Sequence, residues 1–146
     1  MPFLRAARRS LLACAALAVA GAAAAENWPQ WRGPANDGIS GETHLPTKWG
    51  ATDDVAWKLS LPGMGESTPA VWGDRIFLTC QDDSGAVLMC VGTDGKERWR
   101  KKFGAGARKT GPGGNEGNGA SASPSTDGEH VWAFCGSGEL ACFDMD

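Results

Sequence analysis

Ser67-Thr68-Pro69-Ala70-Val71-Trp72-Gly73-Asp74-Arg75-Ile76-Phe77-Leu78-Thr79-Cys80 lies over Ala122-Ser123-Pro124-Ser125-Thr126-Asp127-Gly128-Glu129-His130-Val131-Trp132-Ala133-Phe134-Cys135 without a gap, at a shift of 55 residues. Proline falls on proline, glycine on glycine, acid on acid and cysteine on cysteine, while Ile76 and Phe77 fall on Val131 and Trp132. After a turn shortened by three residues the match resumes at a shift of 52, with Cys90 on Cys142 and Asp94 on Asp146. A period near 50 residues is the mark of a stacked or radial array of small units.

Turn residues divide the first copy into four short strands. These are expected at about 67–72, 75–80, 86–91 and 97–103, separated by Gly73-Asp74, Asp82-Asp83-Ser84-Gly85 and Thr93-Asp94-Gly95. Ala86-Val87-Leu88-Met89-Cys90-Val91 is apolar throughout, as a strand covered on both faces requires, whereas a two-sheet sandwich with one wet face per sheet alternates more cleanly. Four strands per repeat, covered on both faces, predict an all-β fold, a β-propeller of four-stranded antiparallel blades. About two blades are present: an outer strand at 55–61, a blade at 67–103 and an incomplete blade at 121–146, preceded by an N-terminal extension at 26–54.

Composition agrees. The 146 residues include 21 Gly, 7 Trp and no Tyr, as expected of short strands joined by tight turns. With 14 Lys+Arg against 17 Asp+Glu and a net charge of -3, nothing in the totals suggests a polyanion-binding surface, so nucleic acid is not an expected partner.

Arg5, Arg8 and Arg9 precede an apolar run from Leu11 to Ala20, and Ala22–Ala25 supply an Ala-x-Ala cleavage site, so residues 1–25 read as a secretory signal peptide. Leu11–Ala25 is only 15 residues and mostly alanine, too short and too weakly apolar to span a bilayer. The expected product is exported, periplasmic or secreted, with no transmembrane segment after cleavage. Arg8-Arg9 fits the minimal twin-arginine pattern as well as general secretion. Cleavage removes three arginines and no acids, taking the net charge from -3 to -6.

Cys80, Cys90, Cys135 and Cys142 remain, each at a repeated strand position where a small apolar side chain fits between stacked sheets. Buried free thiols are expected, because simple pairing about Gly136-Ser137-Gly138 sets Cys135 and Cys142 diagonal to each other. There is no Cys-x-x-Cys, and His44 and His130 have no second ligand at useful spacing, so no metal site is expected.

Trp57-Lys58-Leu59 and Thr93-Asp94-Gly95-Lys96-Glu97-Arg98-Trp99 resemble the blade-ending pattern Asp-x-x-x-Gly-Lys-x-x-Trp of pyrroloquinoline quinone (PQQ)-like β-propeller repeats, without the pattern's early Asp. Asn27-Trp28-Pro29-Gln30-Trp31-Arg32-Gly33-Pro34, Gly38-Ile39-Ser40 and Leu45-Pro46-Thr47-Lys48-Trp49 resemble the opening of exported bacterial members, quinoprotein-like or BamB-like. The resemblance implies that Trp57 and Trp99 are structural, docking one blade on the next. It also implies a ring of seven or eight blades, more than twice the mature length, so the chain reads as an N-terminal fragment. Dehydrogenases of this kind hold PQQ with calcium, a catalytic Asp and an adjacent cysteine pair. No such pair or identifiable set occurs here, so no cofactor is expected in this fragment, and PQQ and calcium belong only to the reading in which the whole protein is a dehydrogenase.

No nucleophile elbow, zinc-helix motif, phosphate loop or EF-hand is present, so no catalytic residue is assigned. Asp53-Asp54 and Asp82-Asp83 read as solvated turn acids. The one departure from the repeat is the glycine-rich linker Gly104–Ala120, expected on the same side as the Asp82–Gly85 turn, with Arg108, Lys109, Asn115, Glu116 and Asn118 as candidate contact residues. It lacks Gly-x-Gly-x-x-Gly, which removes dinucleotide binding. Trp28, Trp31, Trp49, Trp72 and Trp132 are expected to pack into the core, and residues 27–50 to lie against the outside or one face of the ring. The leading expectation is a non-catalytic scaffold or binding module whose partner is an envelope protein or another propeller-binding partner of unknown identity. The rivals are the front of a quinoprotein dehydrogenase acting on alcohols or sugars, and a polysaccharide-binding module using exposed tryptophans.

Overall fold

A computed structural model of the chain describes residues 25–106 and 118–146. The fold is all-β, with no helix among the described residues. Strands β1 (Ala70–Trp72), β2 (Arg75–Asp82), β3 (Gly85–Gly92) and β4 (Glu97–Gly104) form one antiparallel sheet in chain order, and β5 (Ser125–Thr126), β6 (His130–Phe134) and β7 (Leu140–Asp144) form a second. The expected signal segment lies outside the described residues except for Ala25.

The two sheets are built to one plan. Ala70 opposes Phe77 as Ser125 opposes Trp132, and Val71 opposes Ile76 as Thr126 opposes Val131. Phe77 faces Cys90 as Trp132 faces Cys142, and Arg75 faces Gly92 as His130 faces Asp144. Every pair maps onto its counterpart under the shifts of 55 and 52 read from the sequence. A slip of one residue would send each side chain to the opposite face, so common register means common faces.

Call the face bearing Phe77, Leu88, Cys90 and Trp99 the leading face, and the face bearing Ile76, Leu78, Cys80, Val87, Met89 and Val91 the trailing face. The leading face of the first sheet packs on the trailing face of the second, Val131, Ala133 and Phe143, with Met145 beside them. The trailing face of the first sheet is covered by Leu59. This double cover explains why β3 is buried from end to end.

Several expectations need correction. Val55–Leu61 is not a strand: an outer strand needs the third strand of its own sheet, and none lies beside it among the described residues. The first strand begins at Ala70 and not Ser67, because the Ser67 hydroxyl takes over the ladder, accepting from Thr79 N at 3.0 Å and donating to Thr79 O at 3.2 Å. Within the N-terminal extension Trp28 bridges Val71, and Pro29 O accepts from Thr126 N at 2.8 Å, so it satisfies the open first-strand edges of both sheets.

Trp31 and Trp49 are 59% and 72% exposed and not part of the core, since both stand in irregular segments outside the two sheets. Cys142 is exposed where its counterpart Cys90 is fully buried, because none of the described residues covers the leading face of the second sheet.

Candidate contact surface

The two described ends of the glycine-rich linker meet on the first sheet. Gly119 N donates to Gln81 Oε1 at 3.0 Å, and a Cβ on Gly119 would stand 2.6 Å from Gly106 C. A Cβ on Gly106 would meet Ala86 N at 2.7 Å. Only glycine permits two chains to close this tightly over a strand. The linker base therefore sits beside the Asp82–Gly85 turn, on the side expected from strand order. Arg108, Lys109, Asn115 and Glu116 lie outside the described residues. Asn118 is placed, but its Oδ1 accepts from Ala120 N at 2.9 Å, so it shapes the turn at the linker's end.

Sequence reasoning passed over the carboxylate that holds the base from the second sheet. Glu139 Oε1 accepts from Ala105 N at 3.3 Å, and its Oε2 accepts from Cys135 Sγ at 3.2 Å. Ser137 Oγ accepts from Gly106 N at 3.2 Å. Hydrogen bonds from Ser137 and then Cys135 draw the Glu139 pKa down to about 2. The signal was the short Cys-Gly-Ser-Gly-Glu turn, whose polar groups all fall on one end of a hairpin.

This arrangement has a pH signature. A carboxylate with a lowered folded pKa stabilises the fold above its unfolded pKa and loses that contribution as pH falls toward the folded value. Wild-type chain should lose an increment of stability between the ordinary glutamate value of 4.5 and about 2, and Glu139→Gln should lack that increment. Denaturant unfolding at stepped pH checks it; identical acid profiles for the two proteins would remove Glu139 from the clasp.

Trp57 and Trp99 make the same contact one unit apart. Trp57 Nε1 donates to Thr93 O at 2.8 Å, and Trp99 Nε1 donates to Met145 O at 3.1 Å. Thr93 and Met145 are equivalent under the shift of 52. The Trp57 ring lies on Gly95, where a Cβ would be 2.6 Å from it. Trp99 stacks near Phe77 with ring centroids 5.9 Å apart and carries Lys101 Nζ 4.6 Å from its centroid.

Cys80 and Cys90 are buried and their thiols pushed up by that burial, which disfavours the reactive thiolate. Among the described residues no three His, Cys, Asp or Glu side chains converge as a metal site. Nor does any helix among them have the length and apolarity to cross a membrane. Arg75, Arg98 and Asp74 form a charged cluster by the Gly73-Asp74 turn, with Asp74 drawn below the usual carboxylate range by its hydrogen bond to Arg98. No family model matches the chain, and no curated protein does.

Proposed function

We propose that the chain is part of an exported β-propeller of the PQQ-like repeat type, and that it serves as a non-catalytic scaffold, offering the end that carries the Gly104–Ala120 linker to another protein of the cell envelope. The observation that carries this reading is the recurrence of one indole-to-carbonyl contact at equivalent positions, Trp57 to Thr93 and Trp99 to Met145. A radial array needs each unit to meet the next in one repeated way, and a contact made twice at equivalent positions supports that reading. The burial of Cys80 and Cys90, which disfavours their thiolates, supports a scaffold over an oxidoreductase. Residues on a long loop held at both ends by a rigid sheet are well placed for recognition.

The experiment is titration of the purified chain with PQQ and calcium, read by tryptophan quenching and by reduction of an electron-accepting dye in the presence of alcohols and sugars. The expected result is no saturable binding and no turnover. Tight binding with turnover overturns the scaffold reading in favour of the dehydrogenase.

A further inference from the structure

The linker base contains a dipeptide with chemistry of its own. We infer that Asn118-Gly119 is a site of spontaneous deamidation, which the fold restrains through Gln81 and whose isoaspartate product unfastens the base. Of the asparagines Asn27, Asn36, Asn115 and Asn118, only Asn118 precedes a glycine. Glycine has no Cβ to shield its nitrogen, and its backbone is free to bring that nitrogen onto the preceding carboxamide. Packing imposes this pair on the chain. A Cβ at Gly119 would stand 2.6 Å from both Gln81 Oε1 and Gly106 C, so nothing larger than glycine fits there. Asn118 in turn shapes the turn, its Oδ1 accepting from Ala120 N at 2.9 Å.

In the reaction Gly119 N loses its proton to solvent and attacks Asn118 Cγ. The new C–N bond closes a cyclic imide, and the side-chain nitrogen leaves as ammonia, taking a proton back from solvent. Water then adds to one of the two imide carbonyls. Opening on one side leaves aspartate on an unchanged main chain. Opening on the other leaves isoaspartate, whose main chain runs through Cβ and Cγ and is one atom longer. Water is the only co-reactant, and nothing is oxidised or reduced.

The fold holds both reacting groups away from this path. Gly119 N donates to Gln81 Oε1 at 3.0 Å while Gly119 O accepts from Gly136 N at 2.8 Å, so the nucleophile is pinned on both sides of its residue. The carboxamide is tied to Ala120 N, and Gly119 and Ala120 are buried. Attack geometry therefore requires the base to open, and the rate follows the open population. The product bears on the same contacts. Aspartate keeps an oxygen for Ala120 N and leaves Gly119 where it was. Isoaspartate displaces Gly119 by the added atom, in a place where even a Cβ would collide with Gln81 and Gly106. This chemistry is the same whether the chain is a scaffold or part of a dehydrogenase.

The test ages the purified chain at neutral pH, folded and in urea. Peptide mass spectrometry reads the amide-to-acid mass gain at position 118, and enzymatic methylation tells isoaspartate from aspartate. Conversion is expected in both states, slower in the folded chain by about tenfold or more, because only the open base reacts. Gln81→Met removes the acceptor at nearly the same side-chain length, and is expected to raise the folded-state rate about fivefold, the worth of one hydrogen bond. Circular dichroism verifies that this variant keeps its sheets. Should it lose them, the wild type decides alone: low urea should speed conversion in step with amide exchange at Gly119. The isoaspartate fraction of aged protein should show the Gly119 amide deprotected, while Asn118→Asp keeps it protected. Equal rates folded and unfolded, no conversion at 118 in the folded chain, a folded Gln81→Met that converts as slowly as wild type, conversion that ignores Gly119 opening, or isoaspartate chains with Gly119 still protected each overturn the inference. Quinone turnover would overturn the scaffold reading and leave this site untouched.

Discussion

Replacing Trp99 by alanine is expected to lower the unfolding free energy by about 3 kcal/mol, and replacing Trp57 by about 1 kcal/mol. The two indoles donate the same hydrogen bond, so the difference comes from packing. Trp99 stands between the sheets, packed against the cluster of Phe77, Leu88, Cys90, Val131 and Met145. Its removal opens a void at the joint of the two units and strips Phe77 of its ring neighbour. Trp57 is 37% exposed, and its ring rests on the single turn residue Gly95. Urea unfolding of dilute protein, read by circular dichroism, measures both. Equal losses would mean that the Val55–Leu61 segment is held as firmly as a paired strand, against the absence of any ladder to it. A small loss at Trp99 would mean that the sheets do not depend on each other.

The contrast also marks what the amino-acid order makes readable. Strand positions and register were legible because a repeat states each twice: Gly73 and Gly128 both end a first strand, and Ile76 and Val131 then fall opposite equivalent partners. Burial was less legible, because it depends on what covers a face and not on the face itself. Cys90 and Cys142 have the same register and opposite exposure for that reason. The same holds for Val55–Leu61, whose strand-like pattern calls for a neighbour that the described residues do not supply. Trp28 illustrates a third limit. Nothing in Asn27-Trp28-Pro29 indicates that it bridges the edge of β1 at Val71, a partner more than 40 residues away that composition cannot name. At the contact surface, the linker's position followed from strand order, but Glu139 was hidden because its partners Ala105 and Cys135 come from separate segments.

Gly63→Ala is expected to cost about 3 kcal/mol, where Gly73→Ala costs about 1 kcal/mol. Both replace a glycine by the smallest side chain, and they separate two reasons for glycine. At Gly73 φ is +57° and a Cβ has nothing within 4 Å, so the only penalty is the left-handed backbone. At Gly63 a Cβ would stand 1.8 Å from Gln81 O, and at Gly65 it would stand 2.5 Å from Thr79 O. These are backbone atoms of β2, held by paired strands on one side and by the Met64 bridge on the other, with Met64 N to Gln81 O at 3.1 Å and Gln81 N to Met64 O at 2.7 Å. Neither chain can retreat without breaking those bonds. The consequence reaches the contact surface, because Gln81 also holds Gly119 through its side chain. Thermal and urea unfolding give the stability difference, and the amide exchange of Gly119 reports the linker base. The expected result is a large stability loss for Gly63→Ala with Gly119 deprotected, and Gly119 protection kept in Gly73→Ala. If the two variants prove equally stable, the 62–65 segment gives way freely and Gln81 is not the post on which the linker is hung.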